Sequence, residues 1–167
     1  MARQKTNRIL VIVSEYGYWG IELVAPRDKL EAAGYTLDYA TPTGRRPHAL
    51  PPSCDPTYYD PPLGTQVTDS GDAEKVKAFD ASTALDDPLS LADMIPERPY
   101  FSHPEFLRAL EAYYEGVKAA RERLAETYDG LMLVGGSGPI VDMVNNQQVH
   151  DVILGFHKAD RPVAAIC

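Results

Sequence analysis

A chain of 167 residues, 44% of them hydrophobic, has the size of about one globular domain and can bury a core that needs no disulfide staples. Its formal net charge of −8 disfavours nucleic acid as a partner, since Arg45 and Arg46 form no more than a basic pair. Two cysteines, Cys54 and Cys167, do not make a secreted disulfide framework, and reduced thiols are expected.

The N-terminus, Met1 to Arg8, is short and polar, and Ile9 to Val13 is too short an apolar run for a signal sequence or a membrane span. A cytoplasmic location follows by default, with no membrane partner. Residues 8–13 form a continuous apolar, β-branched run, which predicts a strand buried on both faces in a parallel sheet. Ser14 to Gly20 is a loop with two glycines. Ile21 to Ala33 is predicted helical, with Leu23, Val24, Leu30 and Ala33 as its apolar stripe, Pro26 in its first turn and Gly34 as its C-terminal cap. Tyr35 to Ala40 alternates as a second strand. The strand–helix–strand unit implies a parallel pair joined by a right-handed crossover.

Prolines recur from Pro42 to Pro104, so no central strand is expected there. That stretch is expected to be irregular, with short helices near Ala73–Phe79 and Leu89–Met94. A long helical pattern runs from His103 to about Glu126 on Phe106, Leu107, Leu110, Tyr113, Tyr114, Val117 and Leu124. Tyr128 to Val134 is a third buried strand, Gly135 to Gly138 a tight turn, Asn145 to Lys158 a helix, and Val163 to Ile166 a fourth strand followed by Cys167.

A cysteine at the carboxyl end of a strand stands where doubly wound sheets place their sites. On a sharp strand-to-helix turn it would be held exposed, and the helix dipole would favour thiolate. The sequence carries no helix after Cys167. A second polypeptide completing the fold is therefore expected, from a split coding unit or from backbone cleavage beside Cys167; a truncated chain is the plainer alternative.

Asp129 to Pro139, followed by a helix and then Arg161 to Cys167, resembles the ThiJ/PfpI (class I glutamine amidotransferase-like) superfamily, and most of all its larger branch of heat-shock chaperone and glyoxalase proteins. Tyr16 to Pro26, with a Glu four residues before a Pro, Thr41 to Gly44, and Pro88 to Asp93 resemble further segments of that branch. The resemblance implies an α/β fold: a doubly wound parallel sheet with helices on both faces, flavodoxin-like. It implies a core of residues 8–50 and 128–167 and a Pro-rich and helical insertion over about 51–127, including an inserted helix near the active-site rim. Cys167 would be the nucleophile, Glu22 the carboxyl that hydrogen-bonds its sulfur, and Gly136 and Ser137 backbone donors to an oxyanion. Ser137 stands where the larger branch usually has His.

Plainer readings stand beside these. Cys167 could be a small buried hydrophobe, and Glu22 a carboxylate that suits the first turn of a helix. Glu15 is an alternative carboxylate. Tyr16, Tyr18 and Trp19 could wall a substrate pocket or fill core. Cys54 reads as an ordinary thiol. Of the four histidines, His103 is the first candidate to reach the thiol, and it could instead cap the helix it precedes; His48 is a further candidate, and His150 and His157 lie on a surface helix. Gly135 to Gly138 lacks the Lys-Ser/Thr of a phosphate loop, and no residue cluster has metal-ligand spacing. The expected function is cysteine-dependent chemistry on a small carbonyl or related electrophile, glyoxalase- or hydratase-like, with no cofactor and no metal. A chaperone or redox-response role is the alternative, and a cysteine peptidase or amidohydrolase a further one. The expected partners are a small-molecule substrate, the completing polypeptide, and other copies of the completed unit.

Overall fold

The computed structural model describes residues 5–167; Met1 to Gln4, half of the short polar N-terminus, lie outside the described residues. The first apolar run forms β1 (Arg8–Ile12), and its side chains divide between two cores. Leu10 and Ile12 enter one, while Ile9, Val11 and Val13 enter the other, which is why the run shows no polar alternation. Helix α1 (Gly20–Ala32) follows a loop and begins at Gly20, so Pro26 lies inside the helix, beyond the expected first turn. Proline has no N–H to give to the carbonyl of Glu22, four residues earlier, so one helical hydrogen bond is missing at that residue. Gly34, at φ +85°, lets Tyr35 N–H reach back 3.0 Å to the Leu30 carbonyl and closes the helix as expected. β2 (Thr36–Thr41) comes next.

The Pro-rich stretch holds a short 3-10 turn at Pro51–Cys54 and a hairpin of β3 (Tyr59–Asp60) and β4 (Thr65–Gln66). It continues in α2 (Ser70–Asp80), where the Asp69 side chain accepts from Asp72 N–H. β5 (Leu89–Ser90) precedes α3 (Leu91–Met94), a single turn capped by the Ser90 hydroxyl. Then follow α4 (Phe106–Thr127), β6 (Gly130–Val134), the short α5 (Pro139–Asp142), α6 (Gln147–Lys158) with Asn146 as cap, and β7 (Val163–Ile166).

Five parallel strands form the central sheet in the order β5-β2-β1-β6-β7. Helices cover both faces: α1 and α2 supply one core, and α3, α4 and α6 the other. The molecule is therefore α/β with the flavodoxin-like arrangement that the sequence implied. One boundary changes. Leu89 and Ser90 are not helical; they pair with Ala40 and Thr41 as an edge strand, a position where neighbouring prolines do no harm. Helix α4 packs into the core. Its Tyr113, Val117, Ala120 and Leu124 are buried with Val152 and Phe156 of α6 and with Leu10 and Ile12 of β1. Strand order reverses between β1 and β6, the kind of crevice where open α/β sheets bind ligands.

Candidate active site

The loop after β1 and the turn after β6 meet at that crevice. Ser14 is fully buried, and its hydroxyl donates to Asp142 of α5 at 2.7 Å. The other oxygen of Asp142 accepts from Glu15 N–H at 2.8 Å. Trp19 N–H donates to the Gly135 carbonyl at 3.0 Å, so the two loops are joined backbone to backbone. Such contact needs glycine. A Cβ on Gly138 would stand 2.1 Å from the Gly17 carbonyl oxygen, and one on Gly136, already at φ +119°, would stand 2.8 Å from the Trp19 nitrogen.

Three chain segments converge on one small space. A Cβ built on Gly135 would lie 2.5 Å from Glu22 Oε2 and 3.0 Å from the Cys167 Cα, so the missing side chain keeps the carboxyl and the cysteine in one site. Trp19, Glu22, Leu50, Pro52, Gly136, Ser137 and Cys167 line a cleft of about 300 Å³ there. Glu22 comes from the first turn of α1 behind β1, Gly136 and Ser137 from the turn behind β6, and Cys167 from the end of β7. All three sources are carboxyl ends of parallel strands.

Burial pushes the Glu22 carboxyl above its ordinary range. Its Oε2 is buried and has no hydrogen-bond partner. A carboxyl of this kind takes up and gives back a proton at a higher pH than an ordinary glutamate. Cys167 is an exposed free thiol. Among the described residues, no cationic side chain lines the cleft. Among the described residues, no group of three or more His, Cys, Asp or Glu could hold a metal ion.

Cys167, Glu22, Gly136, Ser137 and Trp19 are thus brought together, and the other candidates are placed elsewhere. Tyr18 is fully buried in the core, with its hydroxyl on Asp80 at 2.9 Å, because a loop sealed by Gly17 and Gly138 turns it inward. Tyr16 is exposed and faces the Arg45 guanidinium. His103 lies in a separate cleft with Tyr100, Phe101 and Phe106, and accepts from Glu105 N–H at 3.2 Å beside the start of α4. Glu15 is bound by Thr43 and Arg45, and its many donors hold it below the ordinary carboxylate range against its own burial. His48 lies beside Asp80, and His150 Nε2 is 2.8 Å from the Val144 carbonyl oxygen. None of the four histidines lines the cleft. Leu50 and Pro52 were not anticipated as its walls, since they sit in a Pro-rich stretch whose only local signal was a surface loop.

The family model described as ThiJ/PfpI family-like matches residues 13–167. The chain belongs to that family. Among solved structures, the Francisella tularensis rapid encystment protein of 24 kDa is similar to this ThiJ/PfpI-like protein over 98% of the chain, at 17% identity and a TM-score of 0.59. A ThiJ/PfpI domain protein from Brachyspira murdochii is similar over 97%, at 15% identity and a TM-score of 0.53. These likenesses show the fold. The ThiJ/PfpI-like chain spans 59% of the length of each of the two. No curated protein matches it.

Proposed function

We propose that this ThiJ/PfpI-like protein carries out cysteine-dependent chemistry on a small uncharged carbonyl compound. The observation that carries the reading is the meeting of Cys167 with the buried carboxyl of Glu22, one oxygen of which has no hydrogen-bond partner, in one cleft. The Cys167 sulfur adds to the carbonyl carbon, and the C=O π bond breaks. The thiol proton passes by way of Glu22 to the oxygen, which gives a thiohemiacetal with nothing lost or gained. Backbone N–H groups of Gly136 and Ser137 receive the oxygen while it is charged. With a 2-oxoaldehyde, the Glu22 carboxylate, free again once the relayed proton has reached the oxygen, takes the proton from the former aldehyde carbon to give an enediol and returns it to the neighbouring carbon. The hydroxyl proton on the first carbon moves to the neighbouring oxygen, which leaves a 2-hydroxy thioester. Water releases the resulting thioester as a 2-hydroxy acid. The walls Trp19, Leu50 and Pro52 and the absence of a cation favour an uncharged substrate over a carboxylate or phosphate.

Methylglyoxal and phenylglyoxal are suitable probes, with lactate and mandelate as products. Wild-type protein is expected to turn over one or both. Cys167→Ala should abolish this, and Glu22→Gln should reduce it by about a hundredfold, the scale of a lost general acid–base. Turnover by Cys167→Ala equal to wild type would refute the reading.

A further inference from the structure

The wall opposite the thiol is built from two segments that are distant in sequence, Trp19 after β1 and Leu50–Pro52 after β2. They are stitched by a short parallel bridge between Tyr18 and Ala49. Tyr18 N–H donates to the His48 carbonyl at 3.2 Å, and Leu50 N–H donates to the Tyr18 carbonyl at 2.8 Å. Two bonds do not hold a loop by themselves, and a third element meets them. Asp80, the last residue of α2, accepts from the Tyr18 hydroxyl at 2.9 Å and from Ala49 N–H at 2.8 Å on one carboxylate oxygen. Its other oxygen lies 3.3 Å from His48 Nδ1. The backbone carbonyl of Asp80 accepts from Arg46, which also reaches the Ser82 carbonyl and the Asp86 carboxylate.

A carboxylate in the last turn of a helix opposes the helix dipole, so local structure does not account for Asp80. Tertiary structure does. The Tyr18 ring is fully buried, and Asp80 is the partner of its hydroxyl. Helix α2 also presses on the start of α1: a Cβ on Gly20, the residue after Trp19, would come within 2.2 Å of Val76. The Leu50 side chain lies 2.6 Å from where a Cβ on Gly17 would stand. The wall therefore leans on α2 both through the packing of Val76 and through the Asp80 carboxylate.

We infer that Asp80 is a positioning residue for the cleft: through Tyr18 and Ala49 it fixes the Trp19–Leu50 wall across from Cys167 and so sets how tightly a small carbonyl compound is held. The inference rests on the cleft being the active site, but its structural half can be read without turnover. Trp19 is the only tryptophan in the protein, so its fluorescence reports on this wall alone.

The test compares wild type with Asp80→Ala, Asp80→Asn and Tyr18→Phe in the full chain, by acrylamide quenching of Trp19 and by methylglyoxal kinetics, with circular dichroism as a check on folding. Asp80→Ala is expected to raise the quenching constant about twofold and the KM about tenfold, with kcat within about threefold, the pattern of lost uniform binding. Asp80→Asn keeps an acceptor oxygen for Tyr18 and Ala49 and should restore both values most of the way. Tyr18→Phe should shift both in the same direction as Asp80→Ala, to a smaller extent, and it decides the matter if Asp80→Ala does not fold. Unchanged quenching in the folded variants overturns the inference. So does a loss confined to kcat, or an Asp80→Asn protein as impaired as Asp80→Ala. If wild type shows no turnover, the functional reading fails by itself, and the Trp19 quenching still decides whether Asp80 holds the wall.

Discussion

Glu22 shows how one residue can work against stability in the service of a site. Its carboxyl is buried beside Gly135 with an oxygen that nothing satisfies. Burial raises its proton affinity in the folded protein above that in the unfolded chain. Protons are then bound more tightly by the folded state, so stability is fullest at acid pH. It declines as pH rises from the ordinary glutamate value through the raised one. Glu22→Gln removes the group that ionises. The variant is expected to melt higher than wild type at pH 7.5, by about 2 °C, and to show no such gain at pH 4. Thermal melts at the two pH values check this; a Glu22→Gln protein less stable than wild type at pH 7.5 would mean that the carboxyl is satisfied after all.

At the scale of elements, the strands that deliver the site are tied at their opposite ends by Asp129, just before β6. One of its oxygens accepts from Thr6 and Asn7 N–H, at 3.0 and 2.7 Å, ahead of β1. The other accepts from Arg161, ahead of β7, at 3.0 Å. Burial by itself would raise the Asp129 carboxyl, but these donors and the Arg161 charge hold it below the ordinary range. That stabilisation is present above the unfolded-state value and is lost as pH falls through the lower folded one. Asp129→Ala leaves Arg161 and two backbone donors without their partner and should cost about 3 kcal/mol at neutral pH. Urea unfolding at pH 7 and pH 3 is the check, and the gap should close at the lower pH.

Four strands and three long helices of this frame were legible because their signals are local. Ile9 to Val13 is uniformly apolar, Gly34 marks a helix end, and α4 repeats its apolar residues at helical spacing. β5 was not legible: two residues, Leu89 and Ser90, carry no periodicity and gain strand character only by pairing with Ala40 and Thr41. That Glu22, Gly136, Ser137 and Cys167 come together in one cleft was legible through motif and order. Leu50, Pro52 and Asp80 were not, since their roles come from contacts across the fold that spacing does not encode. Tyr18 was ambiguous in the sequence because an aromatic in a glycine loop can face either way; the Asp80 acceptor settles it inward.

Across the whole molecule, the charge of −8 and a cleft without cations act together. The overall field and the local walls both disfavour anionic ligands, which is consistent with a neutral electrophile. The sheet brings the ends of β1, β6 and β7 to a single crevice, and there the Cys167 thiol and the buried Glu22 carboxyl meet. The second thiol gives an internal comparison. Cys54 is half-buried, and burial holds its proton more tightly than in an ordinary cysteine. The most direct measurement is the rate of iodoacetamide alkylation at each cysteine at pH 7, read by peptide mass in wild type and Glu22→Ala. Cys167 is predicted to react at least about tenfold faster than Cys54, and to slow about tenfold in Glu22→Ala as the neighbouring carboxyl is lost, with Cys54 unchanged. Equal rates at the two cysteines, or a Cys167 rate indifferent to Glu22, would contradict the account.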